Sequence, residues 1–150
     1  MSGMINAVEV FRIAERIERD GSFFYRSTAV KFDRPELSEL FNRLADWELT
    51  HERAFAAMRE NLRSDVEWDD ETCRSIASLS EFAIGIGPVH KQAAAAGVRN
   101  TIELAVKLEQ DSVTFYKGLK GFVDDPAVVD VIDRIIAEEH QHIQMLREQL

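Results

Sequence analysis

The chain is predicted to be an all-α four-helix bundle made of two repeated helical hairpins and a long crossover between them. Three observations predict it. The chain repeats itself at an offset of 91 residues, both halves carry apolar stripes at helical spacing, and Glu and His sit inside those stripes.

The repeat needs no gap. Ala14 falls on Ala105, Glu18 on Glu109, Asp20 on Asp111 and Phe24-Tyr25 on Phe115-Tyr116. Asp33, Pro35 and Arg43 fall on Asp124, Pro126 and Arg134, and Glu48 and His51 fall on Glu139 and His142. Ten of the 38 positions from 14 to 51 are identical, well above what unrelated segments share. A unit that occurs twice indicates a duplicated hairpin, not a solenoid.

Each half reads as two helices. Ala7, Val10, Phe11, Ala14, Ile17, Glu18, Gly21, Phe24, Tyr25 and Thr28 follow the stripe of an amphipathic helix. After Phe32-Asp33-Arg34, Pro35 starts a second helix whose stripe runs from Leu37 through Phe41, Leu44, Glu48, His51 and Phe55 to Leu62. The third carries Val98, Ile102, Ala105, Leu108, Glu109, Phe115 and Tyr116. Asp124-Asp125-Pro126 restarts the chain, and the fourth carries Val128, Ile132, Ile135, Glu139, His142 and Leu146.

Residues 63–97 break the pattern, with a weakly helical piece near Thr72–Ala83 and a Gly85-Ile86-Gly87-Pro88 turn. A loop this long needs a reason. Two hairpins packed about a two-fold leave the second and third helices parallel, so the chain must cross the whole bundle. A helix over 36–62 is about 40 Å long, which the connector spans easily. One long crossover is the ferritin-like topology.

The chain has 150 residues, is 45% hydrophobic and carries a formal charge of −9, which suits one soluble domain over 1–150. The acidic balance and the lack of a dense basic run argue against nucleic acid or an anionic membrane as partner. The lone cysteine, Cys73, can form neither an internal disulfide nor a cysteine-rich cluster, and fits a reduced, cytoplasmic setting. No signal peptide or membrane span is apparent.

Glu18, Glu48, Glu109 and Glu139 occupy stripe positions, where a solvated helix would place apolar residues. Unpaired buried carboxylates cost several kcal/mol each or become neutral. Two divalent cations remove the problem by balancing four negative charges. In Glu48-Leu49-Thr50-His51 and Glu139-His140-Gln141-His142, Glu and His share one helix face, so each pair is expected to chelate one ion. Glu18 and Glu109 are then expected to bridge the ions. The ligands expected for the metal are therefore Glu18, Glu48, His51, Glu109, Glu139 and His142. Carboxylate and imidazole suit two iron ions, with manganese or zinc possible in the same site. One Glu-x-x-His is a weak signal; two at the repeat offset, in register with two further Glu, are a strong one.

On these residues the chain resembles the rubrerythrin branch of the ferritin-like superfamily. The resemblance is carried by Ile17-Glu18-Arg19-Asp20-Gly21-Ser22-Phe23-Phe24-Tyr25, by Leu108-Glu109-Gln110-Asp111-Ser112-Val113-Thr114-Phe115-Tyr116 and by the two Glu-x-x-His pairs. It implies a di-iron centre that reduces hydrogen peroxide or dioxygen, often in a homodimer. Many members add a cysteine-rich rubredoxin domain that delivers electrons, and this chain has neither the length nor the cysteines, so an external donor is expected. Peroxidase members also often carry a further carboxylate one turn beyond the third-helix ligand, where this chain has Ser112 and Val113. Ferroxidase activity, metal handling without catalysis and a zinc-loaded structural dimer are the alternatives.

Tyr25 and Tyr116 lie two turns beyond Glu18 and Glu109, where a hydroxyl either bonds a ligand carboxylate or serves as a core aromatic. Glu138, at the repeat position of Trp47, either accepts the free N–H of His51 across the bundle or is a surface residue. Trp47 is expected to pack beside the site, not to stack on a ligand. His140 is read as a surface residue, His90 as unligated, Cys73 as a small residue of the crossover, and Trp68 as its anchor. Phe11 and Phe23 are expected in the core or at a dimer contact.

Overall fold

The computed structural model describes residues 7–62 and 96–150, together with Glu71 and Arg74. The four expected helices are present: α1 (Ala7–Ala29), α2 (Pro35–Glu60), α3 (Val98–Lys120) and α4 (Pro126–Arg147). No strand occurs among the described residues. Most of the predicted crossover, with Trp68, Cys73, Gly85-Ile86-Gly87 and His90, lies outside them. Among the described residues no helix is long and apolar enough to cross a membrane.

The hairpin turns are built as the prolines suggest. Pro35 and Pro126 each stand in the first turn of a helix, preceded by Arg34 and Asp125 in extended backbone. Proline there lacks only an N–H that the helix leaves unpaired. The Asp125 carboxylate also accepts from the Ala127 N–H at 2.9 Å, capping α4.

Side-chain contacts give the helix directions. Between α1 and α2, Glu15 meets Arg59, Arg19 meets Glu52, and Arg26 meets Asn42 and Asp46, an antiparallel register. Within it Ser22 Oγ donates to the Ala45 carbonyl at 2.9 Å in a buried position. Tyr25 reaches Glu109 and Tyr116 reaches Glu18, so α1 and α3 are also antiparallel. Therefore α2 and α3 run parallel. The end of α2 and the start of α3 lie at opposite ends of the bundle, which is why the connection is long.

The core falls into two apolar clusters. One holds Phe11, Phe55, Tyr116, Leu119 and Ile132, the other Tyr25, Leu37, Phe41, Ile102 and Leu146. Leu108 packs against both. Phe11 is buried as expected, whereas Phe23 is 66% exposed on the outer side of α1. The glutamates and histidines of the stripes belong to neither cluster, and they face one another.

Candidate metal centre

Each helix contributes to that charged layer: Glu18 from α1, Glu48 and His51 from α2, Glu109 from α3, Glu139 and His142 from α4. All six side chains are at least 96% buried. They form two groups whose ligand atoms lie within 4.8 Å of one another: Glu18, Glu48, His51 and Glu139, and Glu48, Glu109, Glu139 and His142. The structure thus brings together all six residues picked out in the sequence. Glu48 and Glu139 belong to both groups, whereas Glu18 and Glu109, the carboxylates expected to bridge, belong to one each.

Two tyrosines hold Glu18 and Glu109. Tyr25 donates to Glu109 Oε1 at 2.5 Å and Tyr116 donates to Glu18 Oε1 at 2.6 Å. Each hydroxyl serves the carboxylate of the other helix, because antiparallel packing sets the Tyr of one against the Glu of its partner. One oxygen of Glu18 and one of Glu109 is thereby tied to a phenol, which fixes the orientation of each carboxylate. Burial, followed by the nearby charges (Glu109 for Tyr25, Glu18 for Tyr116), pushes both phenols well above their usual pKa, so they stay protonated donors.

The histidines turn Nδ1 inward. His51 Nδ1 lies 2.9 Å from Glu139 Oε1 and 3.5 Å from Glu18 Oε2. His142 Nδ1 lies 3.0 Å from Glu139 Oε2, 3.2 Å from Glu48 Oε1 and 3.7 Å from Glu109 Oε1. Burial alone would depress the His51 pKa, but the adjacent Glu18 carboxylate, with Glu48 and Glu138, carries it to about 9. Burial likewise opposes the charged form of His142, and the neighbouring Glu109, Glu139 and Glu48 carboxylates push its pKa up. Burial and then the charge of Glu109 raise the Glu48 and Glu139 carboxyls well above the usual range. Glu109 is lowered: burial works against it, and the neighbouring Glu139, His142 and Tyr25 side chains outweigh burial.

Protons alone do not satisfy this layer. Glu18 Oε2 and Glu48 Oε1 are fully buried with no hydrogen-bond partner. His142 Nδ1, 3.2 Å from Glu48 Oε1, does not make a hydrogen bond with it. Buried carboxylate oxygens without donors are costly, and cations are the partners that mixed carboxylate and imidazole groups accept. The residues therefore fit two divalent ions.

Residues around the layer complete it. His51 Nε2 donates to Glu138 Oε2 at 2.6 Å, so Glu138 stands where it can orient that ring. Trp47 departs from expectation: its ring lies on His142, with centroids 5.1 Å apart and planes 12° apart. His140 is exposed, as its spacing suggests. Gly21 was visible only as a stripe position. A Cβ there would stand 2.9 Å from Glu48 Oε2, so the glycine leaves the room that the Glu48 carboxylate occupies. A glycine inside a strong helical pattern, three residues after a stripe glutamate, was the available signal.

The rubrerythrin family profile matches residues 9–150 of the chain. The chain belongs to the rubrerythrin family. No curated protein matches it. Among solved structures, a Thermotoga maritima protein described as ferritin-like and diiron-carboxylate shares the fold, with a TM-score of 0.72. The match covers 99% of this chain and 96% of that one at 21% identity. This rubrerythrin-family chain is thus an all-α, ferritin-like four-helix bundle with a buried carboxylate and histidine cluster suited to metal.

Proposed function

We propose that this protein is a di-iron carboxylate oxidoreductase that reduces hydrogen peroxide or dioxygen with electrons from an external donor. The observation that carries the reading is the pair of four-ligand groups sharing Glu48 and Glu139. Two ions held by these groups would be close enough to act on one small oxidant. Family membership and the carboxylate-rich, imidazole-poor ligand set favour iron, with manganese next.

Bound iron would supply one-electron redox change at two adjacent centres. The chain's own residues do the rest. Glu18 and His51 would hold one ion, Glu109 and His142 the other, and Glu48 and Glu139 would be within reach of both. Tyr25 and Tyr116 fix the Glu109 and Glu18 carboxylates by donating to them. The Nε2–H of His51, held by Glu138, leaves Nδ1 free to ligate. The two apolar clusters keep water from the layer on either side. A cleft of about 230 Å³ between α2 and α4, lined by Trp47, Thr50, Glu138, Gln141 and both histidines, gives a small oxidant access. A cytoplasmic homodimer completes the proposal.

Metal content of protein purified without added metal, followed by stopped-flow mixing of the ferrous form with peroxide or dioxygen, tests the reading. Oxidation in a single turnover is expected, with recycling only when a separate reductant is supplied. Stoichiometric iron that neither oxidant attacks faster than free Fe²⁺ would refute the enzyme and leave a metal-handling protein in its place.

A further inference from the structure

The repeat makes the two halves of the centre equivalent ligand by ligand. Glu18 pairs with Glu109, Glu48 with Glu139, His51 with His142, and Tyr25 with Tyr116. The equivalence breaks behind the histidines. His51 Nε2 donates to the Glu138 carboxylate at 2.6 Å. The repeat position of Glu138 is Trp47, and its indole, not a carboxylate, meets His142. The Arg43 guanidinium lies over the same indole, 5.0 Å from the ring centroid. Among the described residues, no side chain accepts a hydrogen bond from His142 Nε2. Trp47 and Glu138 line the same cleft between α2 and α4.

A carboxylate that accepts from the outer N–H of an imidazole makes its other nitrogen a more basic ligand. Removing such a partner costs about 10–100-fold in metal affinity. An indole face supplies no acceptor for that N–H. The Arg43 charge above it adds repulsion toward a cation, where Glu138 adds attraction.

Resting on the dimetal reading above, we infer that Glu138 and Trp47 make the two metal positions load in order. The Glu18/His51 position, backed by Glu138, takes its ion first. The Glu109/His142 position, behind Trp47, takes its ion second. Both residues are positioning residues, since each acts through the histidine it touches. The consequence is a protein that holds one divalent ion over a range of metal concentration before it holds two.

Titration of Co²⁺ into the metal-free protein, followed by calorimetry and by visible absorbance, tests the order. The wild type is expected to bind two ions in two steps. In Glu138→Gln, which keeps the size of a half-exposed side chain, the tighter step should weaken about tenfold or more while the weaker step stays in place. In Trp47→Glu, which restores the repeat, the weaker step should strengthen toward the tighter one. A Glu138→Gln titration that overlays the wild type, or one in which both steps weaken equally as in a loosened bundle, would overturn the inference. Uptake of two ions with unchanged variants removes only the loading order and leaves the dimetal reading standing. A wild type that takes up no Co²⁺ removes both.

Discussion

At Gly21 helix propensity and the metal centre pull in opposite directions, so Gly21→Ala separates them. A glycine inside a helix costs roughly 1 kcal/mol against alanine. Propensity alone would raise the melting temperature by about 2–4 °C in a chain of this size. The added Cβ, however, would stand 2.9 Å from Glu48 Oε2, where ordinary contact begins at 3.4 Å. The carboxylate must retreat by about 0.5 Å, which is cheap for the end of a flexible side chain in the metal-free protein. It is not cheap for a metal ligand, because metal–ligand distances hold to about 0.2 Å. A tenfold loss of affinity is about 1.4 kcal/mol of lost linkage at saturating metal. The Mn²⁺-induced rise in melting temperature should therefore be smaller than that of the wild type by about 3–6 °C. The assay is thermal unfolding of both proteins in chelator and in saturating Mn²⁺. With chelator the variant should melt at or above the wild-type temperature. A variant that keeps the full wild-type Mn²⁺ shift would refute the argument that Gly21 makes room for a Glu48 that binds metal.

Two further predictions rest on the same geometry. Tyr25→Phe and Tyr116→Phe each leave a carboxylate, Glu109 or Glu18, without its buried donor. Each should weaken Mn²⁺ binding by about tenfold, and the repeat makes the two effects similar, so calorimetry showing only one of them sensitive would contradict the crosswise pairing. The pKa of His51 is raised to about 9 in the metal-free protein, so its stabilising contribution is full below about 6.5 and disappears as pH rises through about 9. Melting temperatures in chelator should fall across that window. Metal needs the neutral ring, so Mn²⁺ affinity should strengthen over the same range, with proton release on binding at pH 7. A flat chelator profile would remove the carboxylate partners assigned to His51.

Much of this protein is legible without coordinates, because periodicity and repetition are local properties of a chain. Four helices, their breaks at Pro35 and Pro126, and six ligands at matched offsets follow from spacing, since residues three or four apart must share a helix face. What spacing leaves open is which side chains meet across helices. Glu18 and Glu109 were expected to bridge, and the structure places Glu48 and Glu139 in both ligand groups. Antiparallel packing also ties Glu18 and Glu109 to the tyrosines of the opposite helix, a pairing that spacing does not show. The same holds for Trp47, whose contact with His142 depends on how closely α2 approaches α4. It holds also for Gly21, whose value appears only when Glu48 is seen to occupy the space of a missing Cβ. The ligand types were written in the chain. Their arrangement was set by packing, because the cross-helix hydrogen-bond partners of Tyr25, His51 and Tyr116 lie between 84 and 98 residues away.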